Sequence, residues 1–401
     1  MVRYWINWKV KMIRYLTAGE SHGPELTGIL EGIPAGFNIS KKYLDGFLQR
    51  RQKGVGSGGR MNIEQDEVLI TSGVVNEVST GAPIALRILN KDWKNWKDKE
   101  IDPYVVPRPG HADLVGTAKY NHEDIRFVLE RASARETAMR TAIGAIAAKV
   151  LEELGINIIG YVSAIGEVTY QQNVKEKVEK EKVTKSDVGC PDTATSKLME
   201  AEILSARKNK DTLGGSITCI ATGVPATIGS FVHWDKKLDA NLAKQFMSVQ
   251  SVKAVEIGKG VDVAKQFGTE VQDQYSLDGK KINKISNNLG GFEGGMTNGE
   301  DLHITAYLKP ISTTLTPINS INLAEKIETK TVYERSDTCA VPRAIPIFEG
   351  VMAFEILNNL LLKTGGDNKK EIRRNFNNIP KLEVDDFNMK NQSWNMKYNV
   401  E

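Results

Sequence analysis

The stretch from Glu130 to Gly155, ERASARETAMRTAIGAIAAKVLEELG, constrains the fold more than any other part of the chain. Ser133 with Glu136 three positions later reads as a capping box and Gly155 as a stop, which predicts a helix of about twenty residues. Ala134, Ala138, Ala142, Ile143, Ala145, Ile146, Ala147 and Val150 spread small apolar side chains over more than one face. A helix of this kind is expected to be covered on several sides by close neighbours. Arg131 and Arg135 flank its start, where the helix dipole is positive and each cation is unfavourable by roughly 0.3–1 kcal/mol. An anion held between the free backbone donors and the two guanidinium groups would reverse that penalty. Neutralisation by Glu130 and Glu136 is the alternative.

The same pattern returns later in the chain. LTGILEGIPAG from Leu26 is echoed by ITCIATGVPAT from Ile217, and each is followed by a helical segment containing Leu-Asp, at Leu44-Asp45 and Leu238-Asp239. TGAPIALRI from Thr80 is echoed by NGEDLHITA from Asn298, and the stretch from Glu130 by ERSDTCAVPRAIPIFEGVMAFEIL from Glu334. Matches in the same order imply an internal duplication, with repeats near 12–165 and 205–365 inside one domain spanning 12–375. Arg131 and Arg335 then become equivalent positions, each at the mouth of an Ala/Ile-rich helix. One pseudo-symmetric core with a pair of buried helices is expected. Residues 1–11 read as an N-terminal extension and 376–401 as a loose polar tail.

Composition narrows the partners. A formal charge of +3 is too small for general affinity to nucleic acid or membranes, so any anion site must be local. Cys190, Cys219 and Cys339 lie far apart without metal-ligand spacing, so neither a disulfide framework nor a metal site is expected, and a reducing cytoplasm is. There is no run of about eighteen apolar residues, and MVRYWINWKVK lacks the features of a signal peptide. The tract KEKVEKEK reads as a solvated insertion.

Several loops carry the candidate chemistry. TAGESHG at Thr17 and PRPGHAD at Pro107 set His22 and His111 in polar, glycine-containing turns beside carboxylates. That singles these two out as proton-transfer candidates among the five histidines, at 22, 111, 122, 233 and 303. RRQKGVGSGGR brings Arg50, Arg51, Lys53 and Arg60 into a glycine-rich loop suited to an anion, though it matches neither a Walker loop nor a dinucleotide fingerprint. Five glycines between Gly290 and Gly299 suit backbone approach to a flat ligand, and KPISTT from Lys309 sets a cation beside three hydroxyls, a grip for phosphate.

Taken together, GESHG at Gly19, RRQKG at Arg50, RPGHAD at Arg108, SARETAMR at Ser133, SVKAVEIG at Ser251, GGFEGGMTNG at Gly290 and RSDTCAVPRAIP at Arg335 resemble the chorismate synthase family, from Met12 to about residue 375. The resemblance implies an α+β fold, a β-α-β sandwich with helices packed between antiparallel sheets and an internal pseudo-two-fold duplication, assembled as a homotetramer. It implies a carbon-oxygen lyase of the shikimate pathway to the aromatic amino acids, which eliminates phosphate in an anti-1,4 sense from 5-enolpyruvylshikimate 3-phosphate. Chorismate is the product, and reduced FMN is required without net redox change.

Carried over by position, the resemblance makes His22 the acid for the leaving phosphate, His111 a partner of the reduced flavin, and Asp337 the acceptor of a flavin proton. Arg51, Arg108, Arg135 and Arg343 would hold the substrate, with Ser57 at a further contact position. Arg131, Ala132, Ser133, Gln250, Ser251, Gly294, Lys309, Pro310, Ile311, Ser312, Thr313 and Arg335 would hold FMN. Ser57 stands where related sequences usually carry Arg, which argues against direct use of NADPH. NADPH is then expected only as an indirect electron source, through an external flavin reductase. Two other readings compete: a flavin or nucleotide binder without the elimination chemistry, and an RNA-binding Arg/Gly loop. The first has no use for three proton carriers, and the second lacks interleaved aromatics.

Overall fold

The computed structural model describes residues 12–56, 65–170, 177–332 and 336–398. Two antiparallel sheets with the same strand order enclose a layer of helices. The first half runs β1 (Arg14–Ala18), β2 (Glu25–Glu31), α1 (Lys41–Gln52), β3 (Val68–Ser72) and β4 (Ile84–Leu89), then the short helices α2 (Asp113–Tyr120) and α3 (Arg126–Ala132), then α4 (Thr137–Glu152). The second runs β5 (Asn157–Ile165), β6 (Gly215–Thr222), α5 (Leu238–Met247), β7 (Val252–Ile257), β8 (Leu302–Leu308) and α6 (Val341–Thr364). The sheets are ordered β1-β2-β4-β3 and β5-β6-β8-β7, with the short strand Val168–Thr169 added beside β5. Strand, strand, helix, strand, strand and long helix therefore occur twice in the same arrangement, the duplication expected from the repeated motifs. The boundary is corrected: β5 opens the second set, so the first repeat ends with α4 and the second begins near Asn157.

The local causes are visible in the strands and helices alike. Alternation along β8 sends Leu302, Ile304, Ala306 and Leu308 inward, and along β2 it does the same for Leu26 and Leu30. The Ser40 hydroxyl caps α1 by accepting from the Tyr43 amide. α4 and α6 show no such one-sidedness, because both lie in the middle of the sandwich. An 18-residue window of α6 reaches a mean hydropathy of 1.5, yet 94% of it is buried in the protein, which marks a core helix. Two acidic residues are buried on that helix: Glu349 is met by two hydrogen bonds from Arg50 at 2.6 and 2.8 Å and one from the Gly160 amide at 2.9 Å, and Glu355 by the side-chain amides of Gln245 and Asn359.

The two central helices touch backbone to backbone. A Cβ added at Gly144 in α4 would lie 2.3 Å from the Gly350 Cα in α6, so Gly144 has no room for a side chain, while a Cβ at Gly350 would sit tightly, 3.2 Å from the Gly144 Cα. Gly28 does the same service between β2 and α4, where a Cβ would come within 2.5 Å of the Met139 sulfur.

Four local expectations are corrected. The capping box at Ser133 does not form: the Ser133 amide closes α3 by donating to the Leu129 carbonyl, and the Glu136 carboxylate accepts from the Thr17 hydroxyl at 3.0 Å. A contact across 119 residues outcompetes the local one, and α4 begins at Thr137 after a single 3-10 turn. Arg50 and Arg51 lie on the last turn of α1, ahead of the glycine-rich loop, whose residues 57–64, including Ser57 and Arg60, fall outside the described residues. The mixed-charge tract is more than solvated surface: its later part enters a helix, Lys180–Lys185, in which Val183 is buried against Tyr161 and Ile220 on the outer face of the second sheet. The start of the C-terminal tail is also docked, with Leu382 and Phe387 lining a cavity shared with Tyr275, Leu277 and Ile282.

Two outcomes follow for stability. Gly144→Ala should destabilise the protein by about 2 kcal/mol or more in denaturant unfolding, because overpacking outweighs the roughly 1 kcal/mol that alanine contributes to a helix interior. His303, buried on β8, has its pKa pushed down to about 4 by burial. The unfolded chain therefore takes up a proton near pH 6.5 that the folded chain refuses, and stability falls as pH drops from 6.5 towards 4, by about 3 kcal/mol in all. In His303→Gln that part of the acid limb should be missing when unfolding free energies are compared across this range.

Candidate active site

The N-termini of both central helices meet the end of α1 at one point, Arg51. Its Nε donates to the Thr137 hydroxyl at 3.0 Å and its Nη2 to the Ala134 carbonyl at 2.7 Å, while its own carbonyl accepts from Arg343 Nε at 3.1 Å. Thr137 opens α4, and Arg343 lies in the first turn of α6. Two positive helix ends and two guanidinium groups thus share one place. Arg135 joins them from the turn before α4. It is buried, with Nη1 at 2.7 and 2.6 Å from the two Asp66 oxygens and Nε at 2.9 Å from the Asn90 side-chain oxygen. Asp66 also lies 3.8 Å from Arg51, and Arg343 pairs with Asp337. Burial, together with the charges of Arg343 and Arg135, pushes the Arg51 pKa down to about 9 against the pull of Asp66 and Asp337.

Asn90 ties this cluster to the His22 loop, donating to the carbonyls of Glu20 and Gly23 at 3.2 and 2.6 Å. His22 sits between Glu130, 2.8 Å from its Nδ1, and the Trp96 ring, whose centroid lies 4.2 Å away. Ser133 donates to the Ser21 hydroxyl at 3.2 Å. Arg131 is exposed and turns to the Thr17 and Gly19 carbonyls at 2.9 and 3.2 Å, so the two arginines expected to grip one anion serve different partners. Ala132 ends α3 beside them.

The second imidazole is held in the same way. His111 Nδ1 contacts Asp113, which is fully buried at the start of α2. Arg108 braces the pair, with Nε 2.8 Å from Asp113, Nη2 3.0 Å from His111 Nδ1 and Nη1 3.3 Å from the Thr313 hydroxyl. Burial works to raise the Asp113 pKa, but hydrogen bonds from His111 and Arg108 and the charge of Arg108 outweigh it, and the carboxyl stays well below its ordinary value. Arg108 is engaged with this turn more than with open space. Gly110 faces the neighbouring loop, where Lys309 Nζ donates to Ser312 at 2.8 Å and to the Pro310 carbonyl at 3.2 Å. Burial and the nearby Lys253 lower the Lys309 pKa.

Backbone contacts close these pieces into a ring. Lys309 N donates to the Ser251 carbonyl at 2.9 Å, next to Gln250, whose amide reaches Glu136 at 3.5 Å. Thr212 donates to the Ile311 carbonyl at 2.8 Å, and Leu213 N to the Thr338 carbonyl, beside Asp337. Gly294 is not part of the ring: Leu238 N donates to Gly295 at one end of α5 and Gln250 follows the other end, about 15 Å away at 1.5 Å per helical residue. Arg335 lies outside the described residues. A cavity of about 1130 Å³ elsewhere, beside the ends of α1 and α4 and the start of β5, is lined by none of the expected site residues.

The residues that sequence reasoning missed are those that hold the others. Asp66, Asn90, Thr137 and Trp96 carry no local motif, and Glu130 was visible only as a neighbour of Arg131. Asp66 matters most, because two buried guanidiniums converge on it. Asp66→Asn should destabilise the fold by about 3–5 kcal/mol, the usual result of leaving a buried charge uncompensated, and a fall in thermal midpoint would report it. An unchanged midpoint would mean the two arginines find other compensation.

Known proteins match the chain over most of its length. The family model described as chorismate synthase matches residues 13–361. The chain is 45% identical over 383 residues to a chorismate synthase of Geobacter sulfurreducens, covering 91% of this chain and 98% of that one. It is 47% identical over 375 residues to one of Desulforudis audaxviator, covering 91% and 96%. A solved structure described as a crystal structure of chorismate synthase superposes with a TM-score of 0.75 at 36% identity, over 91% of this chain and 96% of that one. With motifs, duplicated topology and relatives in agreement over nearly its whole length, the chain belongs to the chorismate synthase family.

Proposed function

We propose that the protein converts 5-enolpyruvylshikimate 3-phosphate to chorismate by anti-1,4-elimination of phosphate, in the shikimate pathway to the aromatic amino acids. The observation that carries this reading is the convergence of Arg51, Arg135 and Arg343 with the N-termini of α4 and α6. Such a place is built for an anion, and Asn90 ties it by hydrogen bonds to the loop that carries His22. A pure binding protein has no need of His22, His111 and Asp337 around it.

The residues also suit reduced FMN. Gln250 Oε1 is buried and has no hydrogen-bond partner among the described residues, leaving an acceptor for a ring N–H. Lys309 with Ser312 and Thr313 offers a cation and hydroxyls to a phosphate, and Ala132, Ser133, Ser251, Pro310 and Ile311 lie beside these groups. Arg131 and Arg335 are proposed with them, and Gly294 stands apart in the single chain. When bound, reduced FMN supplies the electron density that eases loss of phosphate and returns to its starting state, so no net oxidation occurs.

The protein's own groups manage charge and protons. Arg51, Arg135 and Arg343 orient the carboxylates and phosphate and offset the charge that grows on the leaving oxygen. His22 gives a proton to the departing phosphate. His111, fixed by Asp113 and Arg108, holds a proton towards the cofactor, and Asp337, held by Arg343, accepts one. Electrons for FMN are proposed to come from an external flavin reductase, with NADPH only as the indirect source. The assembly proposed is a homotetramer, in which partner copies would cover Leu16, Ile29, Leu69 and Leu89, apolar residues exposed on the strands of the first sheet. The three buried, unpaired cysteines suit a reducing cytoplasm.

Anaerobic incubation with enzymatically reduced FMN and the substrate tests the reading, because a binder releases no phosphate. His22→Ala and Asp337→Asn should each lower turnover by about 10² or more while flavin affinity holds, as expected for lost proton transfer. Wild-type turnover in both variants would remove these roles.

A further inference from the structure

His22 is held by more than one bond to the same side chain. Glu130 Oε1 lies 2.8 Å from the imidazole Nδ1, and Glu130 Oε2 accepts the His22 backbone amide at 2.7 Å. The backbone is fastened again next door, where the Ser21 amide donates to the Glu130 carbonyl at 3.1 Å. Trp96 lies against the ring at 4.2 Å with a tilt of 41°, and Arg126 sits 5.6 Å over Trp96 in turn. Both His22 and Glu130 are largely shielded, with 19% and 13% of their side chains exposed.

We propose that Glu130 is the positioning residue of His22: it fixes the proton on Nδ1, points Nε2 at the substrate phosphate, and supports the imidazolium from which the proton is given. This rests on the reading of His22 as the acid. Two acceptor oxygens facing two donors leave the carboxylate one arrangement, so ring orientation and tautomer are set together. Burial works to raise the Glu130 pKa, but the hydrogen bond and charge of His22, with a smaller part from Arg126, keep it lowered, so the carboxylate stays charged.

The geometry makes the isosteric amide informative. In Glu130→Gln the side-chain oxygen is required by the His22 amide, which turns the NH2 group towards Nδ1 and forces that nitrogen to accept. The ring keeps its place, but the proton moves to Nε2 and the imidazolium loses its counter-charge. A merely structural Glu130 would be replaced well by Gln, whereas a positioning Glu130 would not.

The test compares wild type, Glu130→Gln, His22→Ala and the double variant, anaerobically with reduced FMN and substrate. Glu130→Gln should lower kcat about 10²-fold with KM, flavin affinity and thermal midpoint little changed, and should add nothing to His22→Ala. A second readout needs neither cofactor nor turnover: imidazole 15N shifts should show Nδ1 protonated in the wild type and Nε2 protonated in Glu130→Gln. Wild-type kcat in Glu130→Gln with His22→Ala impaired overturns the proposal alone, as does an unchanged tautomer. Wild-type kcat in His22→Ala overturns the acid role itself, and this proposal with it.

Discussion

Everything in this fold depends on the contact between Gly144 and Gly350. Two long helices that are apolar all round can lie between two sheets only if they come together without side chains at their crossing. That approach sets where their N-termini end up, and the N-termini set the charge of the site. Arg51 reads out the result, because its side chain reaches the start of α4 and its carbonyl is held from the first turn of α6.

Much of this was legible in the residues because it is local. Alternation in β2 and β8, the Gly-x-Pro-Ala closures and the Ala/Ile-rich helices repeat at a scale that a reader of the chain can see. What escaped is what depends on distant contact. Asp66 lies 69 residues from Arg135 in sequence, and nothing around it marks a carboxylate shared by two guanidiniums. Glu136 looked like half of a capping box and is instead claimed by Thr17. Arg50 looked like a loop cation and is instead the counter-ion of a glutamate buried in the core.

The two halves share an architecture but not a chemistry. In the first, the turn before the long helix carries Arg135 tied to Asp66 and lies beside an imidazole. In the second, the corresponding turn carries Asp337 tied to an arginine within the helix itself. A duplicated scaffold supplied two similar helix mouths, and side-chain divergence left an arginine-carboxylate cluster at one and, at the other, the carboxylate of Asp337, the group proposed to take up a proton. Such asymmetry suits an elimination, in which one end of the reacting system departs as an anion and the other loses hydrogen.

The crowding of guanidiniums at Arg51 has a consequence for the life of the protein. Burial first, and then the charges of Arg343 and Arg135, weaken the hold of Arg51 on its own proton, so the charged cluster is stabilised less than separate solvated guanidiniums would be. An anionic metabolite bound in that cluster, as proposed, would restore that stabilisation and by mass action draw the population away from unfolded and partly opened forms. Starved of such metabolites, the empty enzyme would be more readily opened and degraded than the loaded one, so flux through the route would help decide how much catalyst persists.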